Sequence, residues 1–175
     1  MLISRRGGGV FVLCALAWGC GGTVTDSQGA MSLSDRDALA DSVLRLSREV
    51  MAAGEALDVE GMVAWFKDVP GSGFGGASGI MLTLGEFRSN LEAAYGGMAQ
   101  QEFEATGERV AILGPDAAVV MGLGGFVMTD TIGSRALGNQ AFTFVWARAN
   151  DEWRIVQAHF SSNLMSVEPS GAEPR

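Results

Sequence analysis

The sequence predicts an α+β domain in which three N-terminal helices pack against a curved antiparallel sheet of four or more strands. Three observations favour this class. Apolar residues recur every three or four positions between residues 34 and 95, they mostly alternate with polar residues after Gly97, and short turn sequences separate the later segments. Consecutive strands joined by short turns form an antiparallel meander, so the preceding helices are expected to cover one face of a single sheet.

Two helices are predicted first. Ser34 and Asp37 form a capping box at the start of the first helix, and Gly54 ends it. Its apolar stripe consists of Leu39, Val43, Leu46, Val50 and Ala53. Asp58 caps a shorter second helix that ends before Pro70. Its stripe consists of Val59, Met62, Val63 and Phe66.

A glycine-rich loop over residues 70–79 separates these helices from the third. Thr83 and Glu86 predict the start of the third helix, and Gly96-Gly97 predicts its end. Its apolar positions are Leu84, Phe87, Leu91 and Tyr95. The four strands predicted after it lie near residues 103–112 and over residues 117–129, 135–149 and 153–161. Gly114-Pro115-Asp116 and Asn150-Asp151 are expected to form two of the turns between them.

The first 19 residues have the layout of a secretory signal peptide, with a basic start, an apolar stretch and a small-residue end. Ala17-Trp18-Gly19-Cys20 resembles the lipobox of bacterial lipoproteins, which implies that Cys20 is lipidated and anchors the protein in the cell envelope. Cleavage after Ala17 is the alternative, and it would give a soluble periplasmic or secreted protein. Residues 20–33 are expected to form a flexible tether, residues 34–165 the domain, and residues 166–175 a disordered tail.

Composition argues against several functions. The formal net charge is −8, with 12 basic and 20 acidic residues, and the only lysine is Lys67, so no nucleic-acid partner is expected. Residues 21–175 contain no cysteine and a single histidine, which argues against a disulfide, a catalytic thiol and a zinc site. No spaced run of carboxylates resembles a calcium loop, so no metal is predicted. No glycine-rich segment joins a strand to a helix as phosphate-binding loops do, and no cofactor is predicted.

The closing segment Trp153-Arg-Ile-Val-Gln-Ala-His159-Phe-Ser161, with the order of helices and strands, resembles the nuclear transport factor 2-like (NTF2-like) superfamily. Within it, the pattern is similar to SnoaL-like, DUF4440-type members and covers about residues 35–165. The resemblance implies a conical half-barrel with a pocket between sheet and helices, often paired into a dimer through the outer face of the sheet. It implies no one reaction, because the superfamily includes isomerases, dehydratases, hydrolases, polyketide cyclases and non-catalytic association domains.

Three residues are candidates for acid/base chemistry. His159 comes first, because imidazole titrates near neutral pH. Strict alternation places it on one strand face with Trp153, Ile155, Gln157 and Ser161, and this face would point into the pocket if it is the concave one. Asp68 has the place of the carboxylate base in enzymes that resemble ketosteroid isomerase, and Tyr95 could offer a phenol. The alternatives are a structural histidine, a solvent-facing helix end for Asp68 and core packing for Tyr95.

The aromatic residues suggest an apolar pocket within the implied half-barrel. Phe142, Phe144 and Trp146 share one strand face and are expected to line either this pocket or a dimer surface. The predicted pocket residues are Trp65, Phe87, Phe103, Phe142, Phe144, Trp146, Gln157 and His159. Most of the apolar residues must also serve the core.

We therefore expect an exported, lipid-anchored protein that binds a small apolar molecule, or forms a homodimer or recruits a partner, without catalysis. The competing hypothesis is an isomerase or cyclase that uses His159 or Asp68 as general acid/base. A purely structural assembly protein with no cavity is the third hypothesis. The membrane, reached through Cys20, is the remaining expected partner.

Overall fold

The computed structural model describes residues 31–76 and 79–171. Its helices are α1 (Leu33–Glu55), α2 (Val59–Val63) and α3 (Leu84–Gly96). Its strands are β1 (Gly73–Gly75), β2 (Met81–Leu82), β3 (Met98–Gly114), β4 (Ala117–Asp130), β5 (Arg135–Ala149) and β6 (Glu152–Glu168). The strands form one unclosed sheet in the order β2-β1-β6-β5-β4-β3. The predicted α+β class, with three N-terminal helices against a curved antiparallel sheet, is confirmed.

Side-chain caps begin all three helices, and two of these caps match the prediction. The Asp58 carboxylate accepts from the Gly61 amide at 2.9 Å, and Thr83 and Glu86 form the full capping box of α3. The predicted capping box of Ser34 and Asp37 is wrong, because α1 begins two residues earlier, with Ser32 as N-cap. The Ser32 hydroxyl accepts from the Asp35 amide at 3.1 Å. The folded domain therefore starts slightly before residue 34.

The glycine-rich stretch contains a short strand, β1, where its composition predicts only a loop. β1 pairs with β2 antiparallel and with β6 parallel, and Phe74 between its two glycines is fully buried. The second helix also ends earlier than predicted, at Val63, and Phe66 leaves it to bridge to Ile155 of β6. These short pieces attach the α2 segment directly to the last long strand.

The core lies between α1 and the face of β3–β6 that points toward the helices, which we call the concave face. Its largest fully buried side chains are Trp146, Phe74, Phe142, Phe144, Ile155, Val43, Val50 and Val120. Ser47 of α1 is also fully buried, and its hydroxyl accepts from Nε1 of Trp146 at 3.0 Å and donates to the Val43 carbonyl at 3.0 Å. This arrangement satisfies the indole N–H, which would be costly to leave unpaired in the core.

A β-bulge in β6 reverses the face that its later residues present. Trp146 of β5 pairs with Ile155, while the preceding Val145 pairs with Gln157, so Val156 is the extra residue. Ile155 and Ala158 consequently both point into the core. Strict alternation through the closing segment is therefore wrong after Ile155.

The last strand runs to Glu168, past the expected end of the domain at residue 165. Its final residues pair with the start of β5, and Arg135 lies 3.5 Å from the Glu168 carboxylate. Residues 166–168 therefore belong to the sheet. Within the described residues, no helix is both long enough and apolar enough to span a membrane. Cys20 and the predicted signal peptide lie outside the described residues.

Candidate functional site

A cavity of about 250 Å³ lies between the helices and one end of the concave face. All three helices and the strands β2, β3, β5 and β6 contribute side chains to its wall. The lining residues are Met51, Gly54, Met62, Gly76, Leu82, Phe87, Asn90, Leu91, Ala94, Tyr95, Met98, Gln101, Gln140, Phe160, Ser161 and Ser162. Its volume is just below the usual range of about 300–1,000 Å³ for small-molecule sites.

Most of the wall is apolar. Phe87 of α3 and Phe160 of β6 stack with ring centroids 6.1 Å apart and planes inclined by 12°. Three methionines, Met51, Met62 and Met98, contribute flexible thioether side chains that can adapt to the shape of a bound molecule. This part of the cavity favours an apolar ligand.

One end of the cavity is polar and uncharged. The Tyr95 hydroxyl donates to Sδ of Met62 at 3.3 Å. Burial raises the pKa of Tyr95, and a hydrogen bond with the Gln101 side chain only partly offsets this rise. A β-carbon placed on Gly54 would lie 3.4 Å from the Tyr95 oxygen and 3.6 Å from Nε2 of Gln101. Two polar side chains therefore converge beside a glycine of α1.

The structure does not bring the acid/base candidates together. The bulge at Val156 puts His159 on the outer face of the sheet, where it is exposed and pairs with Thr143 of β5 and Gly75 of β1. Asp68 is exposed in the loop after α2, and its carboxylate accepts from the Ser72 hydroxyl at 2.7 Å. Of the three candidates, Tyr95 alone lines the cavity.

Among the eight predicted pocket residues, Phe87 lines this cavity and the other seven do not. Phe142, Phe144 and Trp146 point to the concave face, as expected of one strand face, but they are fully or almost fully buried in the core beneath the helices. Phe103 packs edge-on against Phe142, and Trp65 packs edge-on against Trp146. The prediction that these rings line an open pocket is wrong, because Ser47 of α1 and the Trp65–Phe66 segment after α2 pack against them.

The remaining two predicted pocket residues lie outside the cavity as well. Gln157 is exposed and donates through Nε2 to the Gly71 carbonyl at 3.1 Å, and His159 is exposed beside β1. Both positions follow from the bulge at Val156. This bulge replaces them in the interior with Ala158 and Phe160, of which Phe160 reaches the cavity.

Several lining residues were missed, and only some had a sequence signal. Leu91 already belongs to the predicted stripe of Phe87 and Tyr95, and Asn90 and Ala94 lie on the same helix face at spacings of three and four, so this face could be extended to them. Gln101 and Gln140 come from different strands, and their convergence depends on sheet curvature. No local pattern predicts it.

The outer face of the sheet carries exposed apolar side chains on its central strands. Met121 and Leu123 of β4 are 47% and 52% exposed, and they alternate with buried residues that point to the concave face. Val119 and Val145 lie beside them as a half-buried cross-strand pair. An apolar group of this kind on a sheet face is typical of a contact surface.

Comparison with known proteins identifies the fold. The family model of the calcium/calmodulin-dependent protein kinase II association domain matches residues 86–164, less than half of the chain. No curated protein sequence matches the chain. The structure of an NTF2-like superfamily protein from Salmonella enterica is similar, with a TM-score of 0.65 and 17% identity over 72% of this chain and 92% of the other.

Two further structures illustrate the range of proteins with this architecture. The association domain of C. elegans CaMKII has a TM-score of 0.57 and 19% identity, over 71% of this chain and 96% of the other. A proposed scytalone dehydratase from Novosphingobium aromaticivorans has a TM-score of 0.65 and 10% identity, over 81% of this chain and 100% of the other. At these identities the likeness establishes the NTF2-like fold and no activity.

Proposed function

We propose that this chain is an exported, lipid-anchored protein whose NTF2-like domain binds a small apolar molecule without catalysing a reaction. The observation that carries the proposal is the chemistry of the cavity wall, in which Tyr95 is the only titratable side chain among the described lining residues. Within the NTF2-like fold, the closing Trp153-to-Ser161 pattern favours a SnoaL-like, DUF4440-type domain.

The absence of catalysis is inferred from the positions of the acid/base candidates. General acid/base catalysis needs a side chain within about 3 Å of the proton it moves, directly or through one water. Neither His159 nor Asp68 contributes to the described cavity wall, and a buried phenol with a raised pKa is a poor base near neutral pH. Binding needs no such group, because burial of apolar surface supplies the free energy.

Export and anchoring rest on the first 20 residues alone. A basic start, an apolar stretch and the lipobox-like Ala17-Trp18-Gly19-Cys20 favour lipidation at Cys20 and attachment to a membrane of the bacterial cell envelope. Cleavage after Ala17 would instead leave the same binding domain free in the periplasm or secreted.

The binding proposal is tested with butylbenzene as a small apolar probe. His159→Gln and Asp68→Asn should leave its affinity within about twofold of the wild-type value, because neither side chain lines the cavity. Leu91→Asn is the positive control. It replaces an apolar lining side chain with a polar one, so the dissociation constant of butylbenzene should rise about tenfold in this variant. Isothermal titration of the full chain measures all four affinities.

The isomerase or cyclase hypothesis predicts a different result. Native mass spectrometry would identify any small molecule that co-purifies with the full chain. Conversion of that molecule by the wild type, with a rate about 100-fold lower in His159→Gln, would show that the protein is an enzyme and overturn the non-catalytic proposal.

A second candidate function is association of two copies through the outer face of the sheet. The exposed apolar side chains of Met121 and Leu123 favour it, and the match to an association-domain family over residues 86–164 agrees with such a role. The partner we propose is a second copy of this chain, which would cover the apolar group symmetrically.

Association predicts that Leu123→Lys shifts the full chain from dimer to monomer, because the symmetric contact would then bury one unpaired lysine charge from each copy. Ile132→Lys is the matched control, since Ile132 is 74% exposed in the turn between β4 and β5. Sedimentation analysis distinguishes the two variants. A wild-type chain that sediments as a monomer at tens of micromolar would contradict the dimer.

A further inference from the structure

The hydroxyl of Tyr95 has an unusual partner. Within the described residues it donates to the thioether sulfur of Met62, which is a weak acceptor. A ligand oxygen that reached this hydroxyl would form a stronger hydrogen bond than the sulfur does. The Tyr95 proton is therefore available to a bound molecule at little cost to the protein.

A second donor lies beside this hydroxyl. The side-chain amide of Gln101 also lines the cavity, and its Nε2 carries two protons that can be donated to a ligand. Both groups border the point where a β-carbon would stand on Gly54, at 3.4 and 3.6 Å. Because Gly54 has no side chain, the cavity wall next to both groups is formed by the backbone of α1.

The cavity offers no charge to pair with a charged ligand. The described lining residues include no Asp, Glu, His, Lys or Arg, and burial keeps the Tyr95 phenol protonated near neutral pH. An ionised ligand would lose its hydration without gaining a counter-charge, which is strongly unfavourable. The polar end therefore suits a neutral acceptor.

We propose that the cavity binds a neutral, mainly apolar molecule with one carbonyl-type oxygen, and that Tyr95 and Gln101 hold this oxygen beside Gly54. This inference rests on the proposed binding function and specifies its ligand class. The remainder of the molecule lies against Phe87, Phe160 and the methionine side chains. The volume of about 250 Å³ restricts it to a small compound.

The test compares three matched compounds on the full chain at pH 7: 4-phenyl-2-butanone, butylbenzene and 3-phenylpropionate. We expect the two neutral compounds to bind and the carboxylate to bind at least about tenfold more weakly than the ketone. Tyr95→Phe and Gln101→Met should each lower the affinity for the ketone about tenfold. The affinity for butylbenzene should stay unchanged, because the hydrocarbon has no oxygen that accepts a hydrogen bond.

Gly54→Ala is an independent variant that preserves the fold. Its methyl group would meet only ordinary contacts, and alanine is favoured over glycine in a helix. It should raise the melting temperature. It should also lower the affinity for the ketone, because the methyl group takes up cavity space next to Tyr95 and Gln101. His159→Gln on the outer face is the negative control for all three compounds.

The outcomes separate the two proposals. If neither neutral compound binds, the binding function itself is wrong. Two other results would overturn the carbonyl inference and leave the apolar-ligand function standing. In one, both neutral compounds bind and Tyr95→Phe lowers their affinities equally. In the other, the carboxylate binds as tightly as the ketone.

Discussion

Replacing Phe144 with alanine is expected to lower the free energy of unfolding by about 3–5 kcal/mol. Phe144 is fully buried on β5, at the centre of the aromatic core. Its ring stacks on Phe142 at 4.6 Å between centroids and meets Phe160 edge-on at 5.5 Å. The loss combines the transfer free energy of the ring with the cavity that the rigid strands leave unfilled.

Urea denaturation of the full chain measures this effect, and Ile132→Ala serves as its control. Ile132 is 74% exposed, so its truncation should change stability by at most about 0.5 kcal/mol. Phe160 lines the ligand cavity and packs on Phe144, so Phe144→Ala should also weaken the binding of butylbenzene. A change below about 1 kcal/mol for Phe144→Ala would contradict the described core.

Elements with a complete local signal could be predicted from the sequence. Thr83 and Glu86 form the capping box in both directions, so the start of α3 depends only on residues three positions apart. Asn150 and Asp151 both have positive φ, at 54° and 63°, which is the backbone that a two-residue hairpin turn requires. Each of these signals is contained within four residues.

The bulge in β6 had no such signal. Val156 is as suitable for a regular strand as its neighbours, and nothing in Arg154-Ile155-Val156-Gln157 marks an extra residue. The bulge depends on how β5 and β6 pack over the helices. One inserted residue turns the side chains that follow it, up to the second register shift at Met165, to the other face, and His159 therefore lies on the outer face.

The candidate site was harder to predict than the fold because its polar end joins distant segments. Gly54, Tyr95 and Gln101 come from α1, α3 and β3. The sequence places Tyr95 on the apolar stripe of its helix, which is consistent with core packing and with a cavity wall alike. Only the positions of neighbouring helices decide between them. The aromatic side chains of β5 show the same ambiguity, because Ser47 of α1 and the Trp65–Phe66 segment pack against the strand face that they share.

The glycines of β4 divide into those that the sheet needs and those it tolerates. A β-carbon on Gly124 would lie 2.1 Å from the backbone oxygen of Glu104 and 2.8 Å from the Phe103 ring. The shift of register between Ala105 and Gly107 of β3 lies directly opposite this position. The adjacent Gly125 has no atom closer than 3.9 Å to its β-carbon position. An added methyl group would therefore overlap the neighbouring strand at Gly124 but fit without overlap at Gly125.

Gly124→Ala is expected to destabilise the chain by about 2–3 kcal/mol, because a backbone carbonyl cannot move aside as a flexible side chain can. Gly125→Ala should be neutral or stabilising by up to about 1 kcal/mol, since alanine restricts the unfolded chain more than glycine does. Urea denaturation of the two variants compares the same chemical change at neighbouring positions. Equal losses would show that glycine is needed for strand flexibility in general, whereas a loss confined to Gly124 would show that the close approach of β3 bends the sheet there.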